Sequence, residues 1–427
     1  MQSTFEGPER KREIKDDWTF ADADTRRMTH GLHTYPARMI PQVTEKLITK
    51  FAKSESDDLC IDPFCGSGTV LVEAKLKGIK SVGVDANPLA VLISKVKTTP
   101  IKKEVLEREW SSLRQKIEGD ISKEKPVEVP TIKNLEYWFK PQAINGLAII
   151  KHHINKIENK DVQDFFKVCF SVTVRKVSNI RSGEFKLYRL PPDKLKLHDP
   201  KPLLAFSEVT NNNIQRMDKF YKAVDKSVKS IVVKGDTRKL LELDPRNLYE
   251  NCATLLITSP PYGDSHTTVA YGQFSRYSSA WLDFDEEEVW KVDRIALGGK
   301  LFDEVEDLES PALTHTLHMI ADADEYRARE TYAFFKDIDT CFAQIAKVMK
   351  KRKSTICFVL GNRTVKRMVV PADQIMIELG HKHGFKYYDT YHREIPNKTM
   401  PLQNAPENEI ALKGETISKE NIVVWKY

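Results

Sequence analysis

Four consecutive residues, Ser259-Pro260-Pro261-Tyr262, close the apolar run Thr254-Leu255-Leu256-Ile257-Thr258. A strand that stops at two prolines stops in a stiff corner, because each proline fixes its own φ and neither carries an N–H. Carbonyl and hydroxyl acceptors are then held in set directions beside an aromatic ring. That suits a site that grips an exocyclic amine by its hydrogens while the ring stacks on the base carrying it. The same residues also make an ordinary turn after a strand. Alone they do not choose.

A second group lies about two hundred residues upstream. Leu59-Cys60-Ile61-Asp62-Pro63-Phe64-Cys65-Gly66-Ser67-Gly68 runs an apolar strand into a glycine turn, and Thr69-Val70-Leu71-Val72-Glu73-Ala74 continues with helical character. Gly66 and Gly68 let the backbone approach a ligand that side chains would block. The dinucleotide fingerprint is absent, since Leu71 stands where its third glycine belongs. Ser81-Val82-Gly83-Val84-Asp85-Ala86-Asn87-Pro88 is a second strand ending in an acid, placed either to take ribose hydroxyls or to cap the next helix.

Together these segments resemble the class I methyltransferases that use S-adenosylmethionine, specifically the DNA amino-methyltransferases of restriction-modification systems. Asp62 to Gly68 looks like their cofactor loop, and Gly83 to Pro88 like their ribose-binding strand end. Thr258-Ser259-Pro260-Pro261-Tyr262 matches the catalytic motif most typical of the cytosine-N4 branch. His33-Thr34-Tyr35-Pro36-Ala37-Arg38-Met39-Ile40-Pro41 resembles the segment ahead of the loop, and Val233-Lys234-Gly235-Asp236-Thr237-Arg238 the strand end that meets the adenine.

The resemblance implies a Rossmann-like, doubly wound α/β fold with a mostly parallel sheet and an inserted, mainly helical target-recognition region. It implies S-adenosylmethionine held by Asp62, Phe64, the backbone at Gly66 and Gly68, Asp85 with Ala86 at the ribose, and Asp236 at the adenine amine. Tyr35 and Pro36 would close that pocket. Catalysis would fall to Ser259, Pro260, Pro261 and Tyr262, acting on a base rotated out of double-stranded DNA. A cognate restriction endonuclease encoded alongside, without a stable complex, is the implied partner. Adenine-N6 methylation, guanine-N2 methylation of RNA and a silent positioning subunit are the alternatives. The last would be expected to have lost the glycine loop or the diproline turn, and both are intact. Carbon-5 methylation needs a cysteine nucleophile, typically after proline, and the chain has no Pro-Cys dipeptide. Cys65 reads as a packing residue.

At 427 residues the chain exceeds one typical domain, and 41% apolar content suffices for a sizeable core. The expected division is 1–100, an N-terminal segment and cofactor half; 101–229, a helical insert; and 230–427, the catalytic half with a long polar excursion at 263–330. A helix near 333–351, a strand 354–360, a helix 371–382 and strands near 385–392 and 422–426 complete the alternation. Trp18 and Phe20 are candidate anchors for the polar N-terminal segment. No long apolar run or leader suggests a membrane span or export, and six cysteines without metal-type spacing fit a reducing cytoplasm; no metal is expected.

A net charge of +6 is too mild to prove a polyanionic partner. One stretch is more suggestive. Arg175, Lys176, Arg181, Lys186 and Arg189 alternate with Phe185 and Tyr188, which suits either nucleic-acid contact or an exposed loop. The insert, the excursion, or both could carry target recognition. His30 and His33 could touch phosphate or fill a pocket edge. Asn362-Arg363 and Arg393-Glu394-Ile395-Pro396-Asn397-Lys398 resemble segments that border a target-base pocket, and read equally well as turns.

Overall fold

The computed structural model describes residues 17–53, 58–183, 185–244, 246–263, 269–395, 403–404, 414–415 and 419–427. Seven strands form its main sheet: β1 (Leu59–Asp62), β2 (Lys80–Asp85), β3 (Ser230–Lys234), β4 (Leu255–Thr258), β5 (Thr355–Leu360), β6 (Lys386–Glu394) and β7 (Lys419–Lys426). Their spatial order is β3-β2-β1-β4-β5-β7-β6. β7 runs antiparallel to both neighbours, and the other pairs are parallel.

Strand periodicity sorts the core onto two faces. Cys60, Leu255, Ile257, Cys357, Val359, Ile422 and Val424 pack beneath α1 (Pro41–Phe51) and α2 (Thr69–Leu76). The residues between them, Ile61, Leu256, Ile356, Phe358, Val423 and Trp425, face the opposite layer. A third apolar cluster joins α3 (Pro88–Thr98) to the insert, whose longer helices are α4 (Lys103–Ser122), α5 (Pro141–Ile154), α6 (Lys160–Val177) and α7 (Pro202–Ala223). Phe139, Phe165, Phe166, Phe170 and Phe206 are fully buried there. The helical reading of the insert agrees with this.

The excursion differs from a merely polar one. It folds into α8 (Tyr271–Trp281), α9 (Glu286–Ile295), α10 (Pro311–Ala323) and the start of α11 (Glu325–Val348). Ser310 caps α10 with Pro311 in its first turn, and Asp324 caps α11 at Arg327 N. The buried positions Ala328, Tyr332, Phe335, Ile338 and Phe342 keep helical spacing through α11. That period starts well before residue 333, so α11 begins at Glu325. α12 (Ala372–Lys382) lies between β5 and β6. Trp18 is anchored as expected, stacked on Tyr391 of β6 with centroids 4.8 Å apart.

Candidate active site

The carboxyl ends of β1, β2, β3 and β4 open onto one cleft, the usual place for a ligand in an open parallel sheet. It encloses about 980 Å³ including its mouth, and its walls include Tyr35, Pro36, Asp62, Phe64, Gly66, Asp85, Ala86, Asp236, Ser259 and Pro261. Residues from before and after the helical insert, 35–87 and 235–297, thus meet. Gly68, Pro260 and Tyr262 are absent from that wall.

After β1 the chain turns tightly. Gly68 N–H donates to the Cys65 carbonyl at 2.7 Å, and Ser94 Oγ donates to the Gly66 carbonyl at 2.7 Å. Gly66 and Gly68 have φ of +48° and +80°, the left-handed region that glycine enters most easily. Their roles separate in space. A Cβ at Gly66 would stand 3.7 Å from the Tyr35 ring, whereas one at Gly68 would sit 2.9 Å from Ser94 Oγ and 3.0 Å from its Cα. Gly68 brings α2 close to α3, and Gly66 shapes the cleft. Cys65 is buried, with Sγ 3.9 Å from Ser94 Oγ, consistent with packing.

Asp62 is 3% exposed and accepts from Thr258 Oγ1 at 2.6 Å and Phe64 N–H at 3.2 Å, both at Oδ1. Burial outweighs these bonds and lifts its carboxyl to about 7. Asp85 is raised to about 6 by burial, against two backbone donors, Gly66 N–H and Asn87 N–H, each at 2.8 Å. Asn87 in turn caps α3 and donates to Tyr35 Oη and Ser275 Oγ, both at 3.1 Å. The Tyr35 ring stacks on Tyr271, centroids 5.9 Å apart. Ser67 Oγ is buried in the wall with no hydrogen-bond partner.

Asp236 lines the cleft but is heavily engaged. It accepts from Arg238 N–H at 2.9 Å as an N-cap and takes the same guanidinium at 2.6–3.0 Å. Arg238 also bridges to Asp337 of α11 at 2.9 Å. The capping reading of this Asp-Thr pair is the one visible here.

At the end of β4 the diproline corner leads into a chain of bonds. Ser259 Oγ donates to Tyr262 Oη at 3.3 Å, and Tyr262 donates to Glu420 Oε1 of β7 at 2.9 Å. Glu420 pairs with buried Arg393, which donates from Nε to the Trp18 carbonyl at 3.2 Å. Ser259 therefore spends its hydrogen away from the cleft, leaving its lone pairs for a donor within it.

His30 and His33 are buried rather than at a surface. His30 Nε2 lies 2.7 Å from Glu73 Oε1, and His33 packs edge-on to Phe274. Asn362 exchanges bonds with Asp373, and Arg363 packs against Gly263, just past the corner. Residues 396–398 of the later segment lie outside the described residues. Ser67, Asn87, Tyr271, Thr237 and Glu420 were not anticipated as site residues. Ser67 sits inside the glycine turn and could have been found there. Glu420 carried no local signal.

A family of DNA methylases matches residues 2–96. The type II methyltransferase M.MvaI of Kocuria varians is 39% identical over 431 residues, covering 95% of this chain and 93% of that protein. The type II methyltransferase M.MjaII of Methanocaldococcus jannaschii is 37% identical over 94 residues, 21% of this chain and 17% of that one. Among solved structures, the rRNA methyltransferase AviRa of Streptomyces viridochromogenes aligns over 92% of this chain and 88% of its own at 8% identity, with a TM-score of 0.31. That structural likeness is too low to bear on substrate. The likeness to M.MvaI spans nearly the whole of both sequences. The chain belongs to the type II DNA methyltransferases, enzymes that take their methyl group from S-adenosylmethionine.

Proposed function

We propose that the chain methylates the exocyclic N4 amine of a cytosine rotated out of duplex DNA, within a restriction-modification system. The observation that carries this reading is the single cleft walled by both the Asp62–Thr69 turn and the Ser259–Pro261 corner. The serine at 259 favours cytosine N4. Adenine N6 is the second reading, because its branch more often has aspartate at this position and serine does not exclude it.

The cleft fits the methyl donor chemically. Asp62 can take an ammonium and Asp85 a ribose diol. The partnerless Ser67 Oγ and the N-terminal amides of α2, which no side chain caps, suit a carboxylate. Phe64, Pro36, Val292, Ile295 and Leu297 supply apolar walls for a purine. When bound, the donor supplies an electrophilic methyl on a sulfonium.

The chain's own residues do the rest. An exocyclic amine is a poor nucleophile because its lone pair is delocalised into the ring. Ser259 Oγ and the Pro260 carbonyl accept its two hydrogens and draw the nitrogen toward a tetrahedral form with the lone pair free. Tyr262, tethered at Oη by Glu420, offers its ring for stacking on the everted base. Orientation of this kind is worth ~7 kcal/mol or more. The proton lost from nitrogen needs no strong base, since the methylated amine is acidic while cationic.

Nucleoside analysis of DNA from a host expressing the chain tests the reading. N4-methylcytosine is expected. N6-methyladenine alone would overturn the base assignment, and unmodified DNA with modified tRNA would overturn the choice of DNA.

A further inference from the structure

Two segments flank the cleft, and their charges are opposite. Residues 175–201 of the insert carry eight Lys and Arg against three Asp and Glu. The excursion 263–330 carries six against sixteen. Its exposed run Asp303, Glu304, Glu306, Asp307 and Glu309 would repel a phosphate backbone.

The basic segment is also built and placed for a duplex. Ile180 and Arg189 form an antiparallel bridge, and Arg181 N–H donates to the Tyr188 carbonyl at 2.7 Å. Its base is tied to the rest of the insert by Asn179 N–H on the Trp138 carbonyl at 2.7 Å, and by Arg189 stacked 4.0 Å over the Tyr137 ring. Its far side leans toward the cleft. Leu187 N–H donates to Gln273 Oε1 at 3.4 Å, two residues from the cleft-lining Tyr271. Phe185 lines a hollow together with Tyr35, Pro36, Ala37, Arg38 and Met39, all of which also wall the cleft. Tyr188 and Tyr137 remain 48% and 49% exposed beside these cations. Cations interleaved with exposed aromatics, next to a site that everts a base, match a phosphate backbone and the bases beside it.

We propose that the loop 178–190 of the insert docks the DNA duplex next to the everted base, through Arg181, Lys186 and Arg189, and that the acidic excursion does not. This rests on DNA being the substrate. Phosphate contacts release counterions, so each lost contact lowers the slope of log affinity against log salt by about 0.9.

The test uses the full chain and a fluorescent 30-base-pair duplex, titrated at several salt concentrations. Arg181→Ala with Lys186→Ala should weaken binding about tenfold or more near 0.1 M salt and flatten the slope by about two. Lys116→Ala with Lys123→Ala, two exposed lysines on α4 and at its C-terminal end, should change neither. In the unmodified chain, duplex should protect Lys186 from an amine-labelling reagent and leave Lys300 of the excursion reactive. Wild-type affinity and slope in the loop variant, equal losses in the α4 variant, or an unprotected Lys186 would each overturn the proposal. Methyl transfer by the unmodified chain to genomic DNA, measured in parallel, keeps failure of the loop assignment distinct from failure of the DNA reading.

Discussion

β1 and β4 are neighbours in the sheet, and both end at the same cleft, yet they end differently. β1 runs into a glycine turn whose backbone is supported by Cys65, Asp85 and Ser94, and whose left-handed residues follow a buried acid. β4 runs into a corner with no flexible residue before Tyr262, supported through side chains by Glu420 and Arg393. A turn that lies against a small, polyfunctional ligand has to expose backbone. A corner that reorients one amine has to fix acceptors. Thr258 Oγ1 on Asp62 is the one side-chain bond described between the two strand ends. Donor binding and methyl transfer are therefore expected to separate by strand.

The largest effects belong to β4. Ser259→Ala and Tyr262→Ala should each lower kcat about a hundredfold or more, with donor affinity, measured by equilibrium binding, changed less than about twofold. Loss of donor binding in either variant would break the division. Asp62→Asn should do the reverse and weaken donor binding by about ten- to a hundredfold, the range for removing a charge-assisted bond.

Asp62 also makes a pH test. With its carboxyl lifted to about 7, donor affinity of the unmodified chain should fall as pH drops through 7, while Asp62→Asn shows a flatter profile. Stability should move the other way. A raised carboxylate pKa contributes stability at pH below its usual range, and that contribution fades as pH rises through about 7. Without donor, Asp62→Asn should therefore melt higher than the unmodified chain at pH 8 and by a smaller margin at pH 5.

Glu420→Gln probes the tether on Tyr262. We expect kcat to drop by roughly tenfold, the scale of one hydrogen bond to a charged group, with donor affinity intact. A smaller effect than in Tyr262→Ala is required, since the ring itself remains. Gly68→Ala should mainly cost stability, about 1–2 kcal/mol from the left-handed backbone alone, read as a lower melting temperature. Its donor affinity should fall less than in Gly66→Ala, because Gly68 faces Ser94 rather than the cleft.

Much of this arrangement is legible in the sequence. Both motifs are contiguous, and contiguous residues carry their geometry with them: two prolines stiffen their own turn, and Gly66 needs a φ that other residues avoid. The alternation of strand and helix showed for the same reason, since burial at spacing 2 or 3.6 is a local property. The excursion was harder to read. Its helix α8 buries Gly272, Ser275, Ser278 and Ser279 beside Phe274, Tyr277 and Trp281, and α9 sets Val289 and Val292 among acids, so the apolar periodicity of both is diluted. Among the described residues, no helix is long and apolar enough to cross a membrane.

By itself the sequence determined the two strand-end motifs and their order, because these depend on neighbouring residues along the chain. Only the tertiary structure decided what supports them. Glu420 lies 158 positions after Tyr262, and Arg393 meets the Trp18 carbonyl across 375 positions. It also decided that Asp236 is held by Arg238 and that Gly68 turns away from the cleft. Contacts that distant are set by sheet order and packing, and no local pattern encodes them.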